Sequence, residues 1–215
     1  MPIDEDTALL TLTQWLSPAF PVSGYAYSHG LEAAVSRGHV STAEDARRWI
    51  GTVVSDGSGR TDAVLLCHAL RDGANHEALN DLALSLSASR ERHDETLAQG
   101  RAFTETVNAL TGRTDPPLAM PLAVGRAAAG LGLPAELVAA LYLQAFAGNL
   151  VSVAVRFIPL GQTVGQGVLQ ALRPLILATA TRAAAPPLDK ITASAFGADL
   201  AAMEHETLDV RIYRS

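Results

Sequence analysis

The side chains best suited to metal or nucleophilic chemistry are six histidines and one cysteine, and their spacing argues against both uses. His29, His39, His68, His76, His93 and His205 are scattered, with no pair at the i, i+4 spacing that lets two imidazoles on one helix face grip an ion. Cys67 and His68 are neighbours, so on a helix they point about 100° apart. With no second cysteine, a disulfide within the chain and a multi-thiolate zinc site are both excluded. Cys67 is expected to be a small buried thiol. No G-x-S-x-G elbow is present, and Ser17, Ser23 and Ser28 have no evident base beside them. The single lysine, Lys190, has no glycine before it and no hydroxyl after it, which excludes a Walker-type phosphate loop. Gly130 to Ala135 fits the dinucleotide G-x-G-x-x-[GA] pattern formally. It follows an alanine-rich helical stretch instead of a strand, so it reads as a turn between helices. Sixteen basic against 22 acidic side chains leave a net charge of −6, which argues against a nucleic-acid groove. The densest charge run, Arg90 to Glu95, reads as a solvated helix face. Nothing here predicts an enzyme.

The elements that must position these groups are helices. A chain of 215 residues can bury roughly 70% of its surface, enough for one domain without staples. Leu9, Leu12 and Leu16 form a helical stripe that stops at Ser17-Pro18. Ser41 and Glu44 read as a capping box for a helix carrying Ala46, Trp49, Ile50 and Val53. Gly57-Ser58-Gly59 ends it, and Asp62 and Asn75 read as caps of the next two helices. The charged helix after Ser89 carries Leu97, Phe103, Val107 and Leu110 on its inner face. Leu137 to Val155 is uncharged, but Gln144, Asn149 and Ser152 in its middle favour a buried bundle helix over a membrane span. Pro159-Leu160-Gly161 interrupts it, Pro174 is placed to kink its successor, and a last helix runs to about Met203. No stretch alternates as a strand does. The expectation is an all-α, single-domain helical bundle of roughly eight to ten helices. The acidic opening Met1 to Asp6, where a signal peptide would be basic, adds the expectation of a cytoplasmic location.

Three segments are more particular than generic helix or loop. Ser17 to Glu32 holds two prolines, two glycines and two tyrosines; Phe157 to Gln166 sets Gln162 and Gln166 among small residues; Glu204 to Ser215 closes the chain. In this order they resemble the UreF family of urease accessory proteins. The family's N-terminal pattern, S-P-A-L-P-V-G-G-F-S-Y-S-x-G-L-E, is matched except at Phe20, Ser23, Tyr25 and Ala26. P-L-G-Q-T-x-G-Q is complete from Pro159 to Gln166. Gln99-Gly100-Arg101 after the charged run is similar to an R-E-E-x-x-Q-M-G-R segment. The C-terminal pattern H-E-x-Q-Y-S-R-L-F-R-S is kept at His205, Glu206, Arg211, Arg214 and Ser215, while Leu208, Asp209 and Val210 replace its centre.

The resemblance implies a non-enzymatic, dimeric helical protein acting in nickel insertion into urease. It would bridge a urease-binding accessory protein (UreD, also called UreH) and a UreG-type GTPase on the urease apoprotein, with nickel passing through the complex and no tightly bound cofactor. An alternative is a regulator that activates the GTPase through an arginine supplied in trans. The residues expected to contact partners are Tyr25, Tyr27, Ser28 and His29 in the N-terminal loop, Gln162 and Gln166 in the middle motif, and His205, Glu206, Arg211, Tyr213, Arg214 and Ser215 at the end. Residues 204–215 are expected to form a tail ordered by the UreD-type partner, since a terminus carrying Tyr213 between arginines has the composition of a binding hot spot. His205 is the one weak candidate for touching nickel in transit.

Overall fold

The computed structural model describes residues 3–188 and 191–214. Lys190 and Ser215 lie outside the described residues. The elements run α1 (Glu5–Trp15), α2 (Leu31–Ser36), α3 (Ala43–Asp56), α4 (Ser58–Ala69), α5 (His76–Ser85), α6 (Arg90–Thr111), α7 (Met120–Ala128), α8 (Ala135–Phe157), α9 (Gln162–Ala183) and α10 (Phe196–His205). Short 3-10 turns occupy Gly24–Ala26 and Ala129–Leu131, and no strand occurs among the described residues. The all-α expectation is what the fold shows.

The centre is a hairpin of the two long helices α8 and α9, joined by the four residues 158–161 that contain Pro159 and Gly161. Helices α3 and α4 pack against this pair, and α6 reaches the bundle through α7. α8 is the one described helix long and apolar enough to cross a membrane, with a mean hydropathy of 1.7 over its richest window. Its burial against α9, α3 and α4 accounts for that composition, as the all-round-apolar pattern predicts for a core helix. The main core includes Leu12, Ile50, Leu65, Leu66, Phe103, Leu122, Leu143 and Leu172. Trp15 and Phe20 both pack on the Phe103 ring, at 6.0 and 5.5 Å between centroids. A smaller core gathers Leu31 and Ala34 of α2, Ala46 of α3 and Val153, Ala154 and Ile158 of α8. Fully burying side chains of this size contributes about 1.5–3 kcal/mol each.

Several local expectations shift by one residue or reverse. The capping box of α3 is Thr42 with Asp45, one residue later than Ser41 with Glu44. Thr42 Oγ1 accepts from the Asp45 N–H at 3.1 Å, and Asp45 Oδ2 accepts from the Thr42 N–H at 3.1 Å. Glu44 instead pairs with Arg47 on the exposed face. In α1 the inward stripe is Ala8, Leu12 and Trp15, leaving Leu9 partly exposed. Asp62 caps nothing: α4 begins four residues earlier, and the Asp62 carboxylate is buried inside it. In α6, Leu110 is exposed, while Glu91, Glu95, Thr96, Gln99 and Gly100 join Phe103 and Val107 in the interior. The Arg90 to Glu95 run is therefore only in part a solvated face. Cys67 is buried as expected, and burial pushes its thiol up to about 11.

Candidate functional site

The N-terminal motif is held open by backbone geometry. Ser23 and His29 both adopt left-handed backbone, at φ 55° and 50°, and Gly30 follows at φ 74°. Such conformations cost a non-glycine residue roughly 1–2 kcal/mol, so tertiary contacts must hold them. Gly30 meets a second demand, because a Cβ there would lie 2.6 Å from the Ala202 backbone nitrogen of α10. Only glycine lets α2 and α10 approach this closely. Tyr25 is exposed, whereas Tyr27 and Ser28 are buried beneath the loop.

His29 leads into the first of two buried ionic clusters. Its Nε2 lies 3.1 Å from Glu95 Oε1, its Nδ1 lies 3.4 Å from Ser58 Oγ, and its ring meets Phe146 edge-on at 4.8 Å. Arg92 donates to Asp62 Oδ2 at 2.6 Å, and Tyr142 Oη donates to the same oxygen at 2.7 Å. Arg92 Nη1 also sits 3.2 Å from Glu95 Oε2, an ion pair without hydrogen-bond alignment. Gln99 donates to Glu95 Oε1 at 2.9 Å. Burial alone would raise the Glu95 carboxyl, but His29 and Arg92 beside it outweigh burial and hold it at about 2. Burial would likewise discharge Arg92, yet Asp62 and Glu95 keep its guanidinium charged. Burial, followed by the adjacent Asp62, keeps the Tyr142 hydroxyl well above its ordinary value. A cavity of about 50 Å³ touches this cluster at His29, Asp62, Arg92 and Glu95.

The second cluster joins the chain's two ends. His205, the last residue of α10, is fully buried between two carboxylates, with Nδ1 2.8 Å from Glu91 Oε2 and Nε2 3.0 Å from Glu32 Oε2. Both ring nitrogens thus face acidic oxygens. Glu206 Oε1 accepts from the Arg90 N–H at 2.8 Å, placing a negative charge on the first turn of α6. Arg211 donates to Glu91 Oε1 at 2.7 Å, and the N–H groups of Ile212 and Tyr213 donate to Glu32 at 2.8 and 2.9 Å. Arg214 N–H donates to the Ala26 carbonyl at 2.8 Å, and Tyr213 stacks at a tilt on Phe157, 5.4 Å between centroids.

The fold therefore brings the N-terminal loop, the charged start of α6 and the tail to one end of the bundle. Phe157, at the edge of the middle motif, touches that end through Tyr213, while Gln162 and Gln166 sit exposed on the first turns of α9. Beside the tail, α10 presents Phe196, Leu200 and Met203 to solvent at i, i+4 and i+7 spacing, and Val210 and Ile212 are exposed further on. Sequence reasoning missed Glu32, Asp62, Glu91, Arg92, Glu95 and Tyr142. For α6 a signal existed. Counting helical turns back from Val107 and Phe103 leads to Gln99, Thr96, Glu95 and Arg92, so the inward stripe enters the charge run. For Asp62 and Tyr142 no local signal exists, since their partner is 30 or more residues away. Among the described residues, no group of three or more His, Cys, Asp or Glu side chains is arranged to hold a metal ion.

Comparison with known proteins agrees with this picture. A sequence model of the UreF family matches residues 40–173. A "Urease accessory protein UreF" from Cereibacter sphaeroides strain KD131 is 60% identical over 208 residues, covering 97% of this chain and 99% of the relative. One so named from Jannaschia sp. strain CCS1 is 51% identical, over 96% of this chain and 94% of its own length. Another, from Paracoccus denitrificans strain Pd 1222, is 48% identical over 99% of both.

Proposed function

Because the chain belongs to the UreF family of urease accessory proteins, we propose that it is a non-enzymatic scaffold in urease maturation. In this reading it joins a urease-binding accessory protein of the UreD/UreH type to a UreG-type GTPase, in the cytoplasm and as a homodimer, so that nickel reaches the urease apoprotein. Nickel is cargo of the complex. The observation that carries the reading is the convergence of the N-terminal motif, the α6 charge run and the tail on one end of the bundle, beside an exposed apolar stripe. The exposed Phe196, Leu200 and Met203 of α10, with Val210 and Ile212 exposed further along the chain, have the character of an interface core. The exposed Arg214 guanidinium suits a carboxylate on a partner, while Arg211 is engaged by Glu91. The tail in this reading completes its ordering on the UreD-type partner.

Co-purification tests it. Removing Arg211 to Ser215, or replacing Leu200 by Asp, is expected to abolish recovery of the UreD-type partner while leaving helicity unchanged. Undiminished recovery by both variants would sink the assignment of this face. GTP hydrolysis by the UreG-type partner, measured with and without the chain, separates a scaffold from an activator: a rise of several orders of magnitude would favour an arginine acting in trans.

A further inference from the structure

The structure assigns Glu32 a task as the positioning residue that seats the C-terminal tail, with His205 holding its carboxylate in place. Glu32 lies in the first turn of α2, almost completely buried, and two backbone N–H donors and the His205 ring from the far end of the chain converge on it. Oε1 accepts from the Ile212 N–H, and Oε2 accepts from the Tyr213 N–H while facing His205 Nε2. Holding the tail by its backbone leaves the side chains of Val210 and Ile212 free to face outward. The other ring nitrogen of His205 faces Glu91, whose second oxygen takes Arg211. One imidazole thus bridges two carboxylates, and each carboxylate holds part of the tail.

Proton counting gives this seat a property that simple packing lacks. A neutral imidazole carries one N–H, and a carboxylate only accepts. Two imidazole–carboxylate contacts at 2.8 and 3.0 Å therefore need a second proton, on the ring or on a carboxyl oxygen. The neighbouring charges are themselves paired: Glu204 with Arg37 and Glu206 with Arg90. Arg211 lies on Glu91 and Arg156 lies near Tyr213. Without a proton in each contact a ring lone pair would confront an acidic oxygen at hydrogen-bond distance, so the shared proton is what fixes Glu32. Glutamine at position 32 removes the requirement, because its amide can donate to the Nε2 of a neutral ring. That same amide replaces the oxygen that received the Tyr213 N–H.

Amide exchange on the full-length protein, alone and with the UreD-type partner, tests the seat. In the wild-type chain the Ile212 and Tyr213 amides are expected to be protected, since both donate to Glu32. In Glu32→Gln, Tyr213 protection is expected to drop about tenfold and Ile212 protection to persist. If Glu32→Gln does not fold, Ile212→Pro removes one donor at an exposed tail residue, and tail protection is expected to fall with the helices unchanged. Unprotected Ile212 and Tyr213 amides in the wild type under both conditions, or Tyr213 protection unchanged in Glu32→Gln, would overturn the inference. Its consequence for partner capture rests on the function proposed above. Protection lost in the variants with capture unchanged leaves the seat standing and removes the tail from that function.

Discussion

Ser23 shows how a single departure from a family pattern acquires a physical meaning. The family pattern carries glycine there, and the structure places Ser23 at φ 55°, in the left-handed region that glycine occupies without steric cost. The serine is held by its neighbours, including the Ala26 N–H bond to its carbonyl at 3.0 Å. Ser23→Gly is expected to stabilise the protein by about 0.5–1 kcal/mol, after subtracting the extra chain entropy glycine carries when unfolded. Thermal unfolding checks this: a rise of about 1–4 °C is the expected reading, and an unchanged or lower midpoint rejects the strain argument. His29 has the same backbone but a different purpose. Its left-handed turn delivers the imidazole to Glu95 and Ser58, so replacing it by glycine would relieve strain and forfeit the contact.

At the scale of elements, close helix approach depends on missing side chains. Gly100 lies on the buried face of α6, where a Cβ would overlap the Leu118 carbonyl oxygen and crowd the Met120 nitrogen. Both obstacles are backbone atoms, which cannot rotate away. Gly100→Ala must therefore push the segment before α7 off α6, against the Met120 N–H bond to Thr96 Oγ1. A loss of about 3 kcal/mol is expected, at the upper end for overpacking, and denaturant titration would read it as a lower midpoint with the slope unchanged. A loss below about 1 kcal/mol would show that the two segments separate easily. Gly125 plays a similar part between α7 and α4, 2.6 Å from the Leu66 carbonyl oxygen by the same construction.

For the whole molecule, the buried charges tie together elements that are distant in sequence. Asp62 of α4, Arg92 and Glu95 of α6, Tyr142 of α8 and His29 of the N-terminal loop form one connected set. Its pH consequence follows from Glu95, whose carboxyl is lowered from the ordinary 4.5 to about 2. A lowered value means the unfolded chain binds protons first as pH falls. The Glu95 contribution is thus fully present above about 4.5 and withdrawn as pH drops through about 2. Urea unfolding at neutral and acid pH is expected to show wild-type stability falling across that window. Glu95→Gln should start less stable at neutral pH, because Arg92 and His29 lose a buried partner, and then fall more gently. Parallel slopes for the two proteins would remove Glu95 from the account of acid sensitivity.

Helix periodicity, proline and glycine punctuation and three ordered motifs were enough to read an all-α fold and the UreF resemblance from the sequence. These are local signals, carried by residues three or four apart or by contiguous segments. They also marked the tail and the N-terminal loop as unusual. They did not show that the two touch, because Glu32 and His205 are 173 residues apart and meet only when α10 packs on α2. Nor did they separate the buried half of the Arg90 to Glu95 run from its exposed half. Charge type says that a group needs solvation, and whether water or Asp62, His29 and Arg211 supply it depends on which helices arrive from elsewhere in the chain. Composition and spacing determined the helices and the family. Tertiary packing decided which charges are buried and paired, since an ion's burial becomes tolerable only when its distant counter-charge is delivered to within hydrogen-bond distance.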